Sequence, residues 1–259
     1  LLITHHALLW NPGFITDETQ QGKNALFLIE HGIPCINAHT NLDLAPGGVN
    51  DTLAQVLGLE NVQVVNPVGT DAEGREYGLL RQGTVNEQTL ETFLQHVKDA
   101  LGCPGLRYAD GGKPVRKVCV GGGACGSELM DAYRAGCDTF VTADVKYNQF
   151  WDAQDLGLNL IDAGHFPTEN PVVAVLAEKL AAAFPEIQVE ISKMHTDYAE
   201  KFTFLAVCRV RYRNGARQFT TFYIRVDGLA NFCAYFRRQR KHLGAFKAFV
   251  LPNHYLLSV

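Results

Sequence analysis

Short apolar runs alternate with stretches of helical period through the first 199 residues. Leu1-Leu2-Ile3 is a strand-like run that stops at His5-His6, and Asn11-Pro12-Gly13 then marks a loop. Residues 17–32 carry an amphipathic helical pattern closed by His31-Gly32, with glycine as the C-terminal cap. Residues 33–38 predict a short buried strand, with His39-Thr40-Asn41-Leu42-Asp43 at its end. Pro46-Gly47-Gly48 is a turn, 49–57 a helix, 62–67 a strand and 77–85 another. A helix follows over 86–101, with Asn86 as its N-cap.

Lys113-Pro114 opens a new unit. It predicts strands over 115–120, 139–142 and 158–163, separated by helices over 128–135 and 147–156. Gly164-His165-Phe166-Pro167 then leads into a long helix to about 184, with Thr168 as N-cap and Pro171 in the first turn, where a missing N–H loses no intrahelical bond. Residues 187–192 read as a last strand. Strands alternating with helices argue an α/β fold with parallel or mixed sheets. The expected organisation is an α/β domain over 1–111, a second over 112–199, and an atypical tail over 200–259.

Charge separates the tail from the body. Residues 200–259 hold 11 Lys/Arg against 2 Asp/Glu, a balance of +9, whereas the whole chain stands at −4. Twelve of the 26 aromatic residues also fall there. One reading is a hairpin over 205–226 around Asn214-Gly215, a strong turn dipeptide, with a helix after Gly228. The other is unselected or misframed sequence without a stable fold, and the expectation leans to it. The whole-chain charge argues against broad nucleic-acid binding, leaving the basic tail as a lesser candidate for it. No apolar run approaches a membrane span and no signal peptide is visible. The chain lacks an initiator Met and opens inside a strand-like run, which is read as a missing natural beginning. Seven scattered cysteines, none in CxxC pairs, suit reduced thiols and a cytoplasmic location, with Cys119 and Cys137 expected in the core.

Candidate chemistry gathers at predicted strand ends. Neighbouring side chains on a strand face opposite ways, so His5 and His6 can converge only because the strand stops there. His39 and Asp43 follow the second strand, and His165 with Glu169 four residues on follows the strand over 158–163. Strand C-termini are where ligand sites form in open α/β sheets. Histidine and carboxylate without cysteine suit Zn²⁺, Mn²⁺, Fe²⁺ or Co²⁺, and this many ligands exceeds one tetrahedral set, which fits two bridged ions. Each piece alone has a plainer reading: loop histidines, Asp43 capping a turn, Glu169 favouring a helix start. The loop Gly121 to Gly126 could cradle a phosphate with its amides but matches no nucleotide-binding fingerprint, so a tight turn is the stronger expectation. Lys146 could meet an anionic substrate or simply be exposed.

Together the segments THHALLW (4–10), AHTNLDLAPGGVND (38–51), VTADVKYNQFWDA (141–153) and LIDAGHFPTE (160–169) resemble the NIF3 family, some of whose members are called GTP cyclohydrolase 1 type 2 homologs. The resemblance covers about residues 1–199 and implies two interlinked α/β domains with mixed sheets, a dinuclear metal centre of two divalent ions, and often a homohexamer. Carried onto this chain, the ligands are His5, His6, Asp43, His165 and Glu169, with His39 close by and the candidate for proton transfer. The implied activity is that of a metal-dependent hydrolase acting on a nucleotide or other phosphorylated small molecule. A non-catalytic metal carrier or assembly scaffold would need the same ligands. Ala7, Ala143 and Asn148 stand where the family usually has Pro, Gly and His. The family's opening strand–helix–strand is missing, which is read as a truncated start, and the chain resembles the short form that lacks the long internal insertion of some members.

Overall fold

A computed structural model describes residues 1–194, 196–197 and the backbone of 205–214 and 218–227. They divide into two units, Leu1–Asp197 and Tyr198–Val259. In chain order the first unit holds β1 (Leu2–Thr4), α1 (Gln20–Glu30), β2 (Cys35–Asn37), α2 (Thr40–Leu44), α3 (Val49–Val56), β3 (Glu60–Val65), β4 (Gly69–Thr70), β5 (Glu76–Tyr77) and β6 (Leu80–Gln88). It continues with α4 (Leu90–Leu101), β7 (Arg107–Ala109), β8 (Val115–Val120), a 3₁₀ turn (Gly126–Glu128) and α5 (Leu129–Arg134). Last come β9 (Thr139–Thr142), α6 (Tyr147–Leu156), β10 (Asn159–Asp162), α7 (His165–Glu169) and α8 (Pro171–Ala183).

The centre is a six-stranded mixed sheet in the order β3-β6-β8-β9-β10-β7. β8, β9 and β10 run parallel, and the outer pairings are antiparallel. Successive residues of a strand face opposite sides, so β8 sends Val118 and Val120 one way and Cys119 the other. The first face packs under Leu53, Leu57, Phe93 and Val97 of the α3–α4 side. The second packs under Leu129, Ala132 and Ala153 of the α5–α6 side, together with Phe140 and Leu160. Covered on both faces, β9 and β10 are buried at every residue. Burying each large side chain of this core contributes about 1.5–3 kcal/mol. Cys119 and Cys137 are in the core, as expected.

Strands from both sides of residue 111 share this sheet; the expected domain boundary falls between β7 and β8. β1 and β2 form a separate parallel pair, Leu2↔Cys35 to Thr4↔Asn37. The expectation that residues 33–38 are buried is corrected: Ile36 is 52% exposed, because β2 pairs with β1 alone and lies outside the layered core.

Other differences have local causes. The helix over 86–101 begins at Leu90, because β6 runs on to Gln88 and the hydroxyl of Thr89 accepts the N–H of Thr92 as the cap. Thr168 does not cap the last helix; its hydroxyl donates within α7, and α8 starts afresh with Pro171 at its first position. No strand forms over 187–192. The short α2, β4, β5 and β7 were not anticipated. In the second unit, β11 (Leu205–Asn214) and β12 (Gln218–Asp227) pair as an antiparallel hairpin, the architecture that Asn214-Gly215 predicts. The helix expected after Gly228 lies outside the described residues, as do the side chains of the basic tail.

Candidate metal centre

β1 ends at Thr4, whose hydroxyl donates to the carbonyl of His6 at 2.8 Å, so the chain turns at once. The turn brings both imidazoles to one side, with ring centroids 5.0 Å apart. His39 ends the connection from β2 at the start of α2, its ring 5.1 Å from that of His5 and 5.3 Å from that of His6. One helical turn further, the buried Asp43 accompanies it. From the opposite side, Gly164 turns the chain at φ +89° after β10, and α7 carries His165 and Glu169 at i and i+4, on one face.

All five candidate ligands converge, joined by His39. Glu169 faces three of the histidines. Its Oε1 lies 3.0 Å from His165 Nε2 and 3.6 Å from His5 Nε2, and its Oε2 lies 3.2 Å from His6 Nε2. Asp43 Oδ1 lies 3.5 Å from His5 Nε2. Three overlapping groups have all their ligating atoms within 4.8 Å: His5-Asp43-Glu169, His6-His165-Glu169 and His5-His6-His39.

The far ring nitrogens decide which atoms face inward. His5 Nδ1 donates to the carbonyl of Ala38 at 2.7 Å, which leaves Nε2 to the cluster. His5 Nε2 and Asp43 Oδ1 are both buried without a hydrogen-bond partner. Such an orphaned atom costs about 1–3 kcal/mol, and a shared cation removes the deficit at both at once. The residues present therefore fit a metal-binding set.

Electrostatics agree with a tightly coupled cluster. Burial pushes the Glu169 carboxyl up, but the hydrogen bond from His165 and the nearby imidazole of His5 outweigh it and bring it down to about 2. The hydrogen bond to Glu169 raises His165 to about 9 against burial, with Asp144 adding to it. Burial lowers His6 and raises Asp43.

Support comes from beneath. The N–H of Gly122 donates to Asn50 Oδ1 at 2.7 Å and that of Gly123 to Thr168 Oγ1 at 3.0 Å. The amides of Gly121 and Cys125 are bonded to Val141 and Gly123 carbonyls. Committed internally, these amides do not form a phosphate cradle, so the tight-turn reading of this loop holds. A Cβ on Gly123, at φ +65°, would meet Glu169 Oε1 at 2.1 Å, so the loop lies directly against the shared carboxylate. Asn50 Nδ2 also donates to the carbonyl of Asp43 at 3.1 Å, tying α2 to the same loop. The buried Arg81 holds the carbonyl of Leu44 at 3.2 Å and pairs with Asp51.

Comparison with known proteins gives the lineage. The model of the family described as Duf34/NIF3 (NGG1p interacting factor 3) matches residues 1–198. The chain belongs to the DUF34/NIF3 family. It is 35% identical over 185 residues to a protein of Clostridium perfringens named GTP cyclohydrolase 1 type 2 homolog, covering 70% of this chain and 69% of the relative. It is similar to the crystal structure of a Bacillus cereus protein related to NIF3, with TM-score 0.69, 27% identity and coverage of 77% and 82%. A Staphylococcus aureus hypothetical protein matches likewise, with TM-score 0.69, 29% identity and coverage of 77% and 79%. The mixed α/β architecture is thus a NIF3-like fold.

In this DUF34/NIF3 chain the residues that sequence reasoning passed over are the supports Asp144, Asn50 and the carbonyl of Ala38, while Thr168, expected as a cap, accepts the N–H of Gly123 instead. A polar residue immediately after an apolar strand run, as Asp144 follows β9, was the available signal. Asn148 is exposed on α6 with its amide directed at Asp152, 3.5 Å away. Lys146 is exposed, and its backbone N–H donates to Gln149 Oε1 at 2.7 Å. Among the described residues no helix is long and apolar enough to cross a membrane.

Proposed function

We propose that the cluster is a dinuclear centre for divalent cations, and that the protein is a metal-dependent hydrolase of a nucleotide or another phosphorylated small molecule. His5 and Asp43 would hold one ion, His6 and His165 the other, and Glu169 would serve both. The observation that carries this is the buried pair His5 Nε2 and Asp43 Oδ1, left without hydrogen-bond partners beside Glu169. Histidine with carboxylate suits Zn²⁺, Mn²⁺, Fe²⁺ or Co²⁺. Bound there, such ions supply Lewis acidity and an acidified water. His39 sits at the rim against His5, His6 and the edge of Trp10, and is the group we assign to proton transfer. The name of the Clostridium relative supports GTP as the first substrate to try. We also propose a homo-oligomer, a hexamer by family resemblance, and a cytoplasmic location.

The test is metal content and turnover of GTP and simple phosphoesters, with and without chelator. Metal-dependent turnover that falls at least tenfold in Asp43→Ala and His165→Ala is expected. Metal loading unchanged in both variants sinks the ligand assignment. A second reading, a metal carrier or scaffold, needs the same five ligands. Full metal content without turnover of any of these substrates favours it.

A further inference from the structure

His165 is held at both ring nitrogens. Its Nδ1 lies 2.7 Å from Asp144 Oδ2, and its Nε2 lies 3.0 Å from Glu169 Oε1 and 3.2 Å from His6 Nε2. An ionised carboxylate only accepts, so the proton of this short bond sits on Nδ1. We infer that Asp144 is a positioning residue that holds the Nδ1–H of His165, fixing the ring so that Nε2 is the atom presented to the cluster. Without Asp144, Glu169 would be the remaining acceptor beside the ring, so the last ring proton would stay at Nε2 and no lone pair would face the site. Why that lone pair matters rests on the dinuclear reading above; the restraint on the ring stands on its own.

The backbone supports a dedicated role. Asp144 has φ +50°, in the left-handed region that glycine occupies without strain and that aspartate tolerates better than most residues. Its side chain is 56% exposed, so packing does not call for a side chain here, and its hydrogen bond goes to His165. The loop that presents it is pinned on both sides. Ala143 N–H donates to the carbonyl of Gly123 at 3.0 Å, and Val145 N–H donates to Asp162 Oδ2 at 3.2 Å. Arg107 binds both the carbonyl of Val145 and Asp162. The other oxygen of the buried Asp162 accepts the N–H of Gly164 at 3.1 Å, the residue before His165. One buried carboxylate thus sets the two loops against each other, and the Asp144–His165 bond closes the arrangement at the surface. A histidine whose far nitrogen is held by a carboxylate is a more oriented and more basic ligand.

The experiment uses the full chain with Asp144→Gly and Asp144→Asn. Zinc is titrated into chelator-treated protein, thermal unfolding is measured without metal, and the imidazole protons are observed in ¹⁵N-histidine-labelled samples. In Asp144→Gly the exchange-protected Nδ1–H resonance of His165 is expected to disappear. Zinc affinity at one of the two positions is expected to fall about 10–100-fold. The unfolding midpoint is expected to stay within about 2 °C of wild type or to rise, since glycine relieves the left-handed backbone. Asp144→Asn, which keeps an acceptor and tolerates this backbone, is expected to recover the resonance and most of the affinity. The inference is overturned if Asp144→Gly keeps the protected resonance. It is equally overturned if the midpoint drops by several degrees with affinity lost at both positions and not recovered by Asn. Wild-type protein that takes up no zinc refutes the dinuclear reading instead, and the resonance still decides what Asp144 does.

Discussion

The two sides of the centre are built differently. His165 and Glu169 come from α7, set directly on β10, where every strand residue is buried and helices cover both faces of the sheet. His5 and His6 come from the end of β1, in a two-stranded sheet with Leu1 73% and Ile36 52% exposed. The neighbouring α1 shows Phe27 and Ile29 to solvent. A side that is layered and buried holds its ligands by packing. A side that is thinly packed holds them by hydrogen bonds, such as His5 to Ala38, and by whatever the ligands share. The lesson is that a metal in this position would act as a clasp, joining a rigid half to one that packs weakly.

The largest expected effect tests the rigid side. Phe140→Ala, at a fully buried position of β9, is expected to lose about 3–5 kcal/mol in chemical denaturation. Ile36→Ala, on the exposed β2, is expected to lose no more than about 1 kcal/mol. Equal losses would break the comparison.

Next comes the clasp. Zinc at a hundred times its dissociation constant is expected to raise unfolding stability by about 2.7 kcal/mol. Hydrogen exchange should then report slower opening of β1, β2 and α2, while the amides of β9 and β10, protected by the core already, report only the global gain. Chelation should reverse it. Exchange that slows uniformly across both sides, with no extra protection of β1 and β2, would remove the distinction.

The smallest effect is the pH dependence of the metal-free protein. Glu169 is depressed to about 2, so its contribution is present above its ordinary value near 4.5 and fades as pH falls through about 2. His165 is raised to about 9, so its contribution is complete below its ordinary value near 6.5 and fades as pH rises through about 9. The pair therefore stabilises most between these two ordinary values, and thermal midpoints across pH should decline on either side. The alkaline decline should shrink in His165→Gln. An unchanged alkaline limb in that variant assigns the loss to another group.

How much of this was legible in the chain varies with the cause. β8, β9 and α6 have the residue bounds their patterns predict, because short runs rich in β-branched and apolar residues between turn signals, and a helical run closed by glycine, are local signals. The start of α4 was misjudged because Asn86 and Thr89 are both competent caps, and the pairing of β6 with β8 as far as Gln88 decided between them. The strand over 187–192 failed because apolar alternation is necessary but not sufficient: a strand needs a neighbour to take its hydrogen bonds. The convergence of the candidate residues was legible because His5, His6, His39 and His165 follow closely on apolar runs, and Asp43 and Glu169 lie four residues past a histidine. Asp144 was not, because an aspartate after a strand reads as turn chemistry until its partner is known.

The sequence by itself determined the alternation of strands and helices, and it determined the chemistry of the clustered side chains, histidine and carboxylate without thiol. It also separated an acidic body from a basic tail. Only the tertiary structure decided that His6 and His165, 159 residues apart, stand 3.2 Å from each other, and that Glu169 serves two groups at once. It likewise decided that the glycine loop supports that carboxylate instead of a phosphate. The physical reason is that periodicity is a property of neighbours along the chain, whereas a shared ligand is set by how whole layers dock, and by which buried polar atoms remain unpaired when they do.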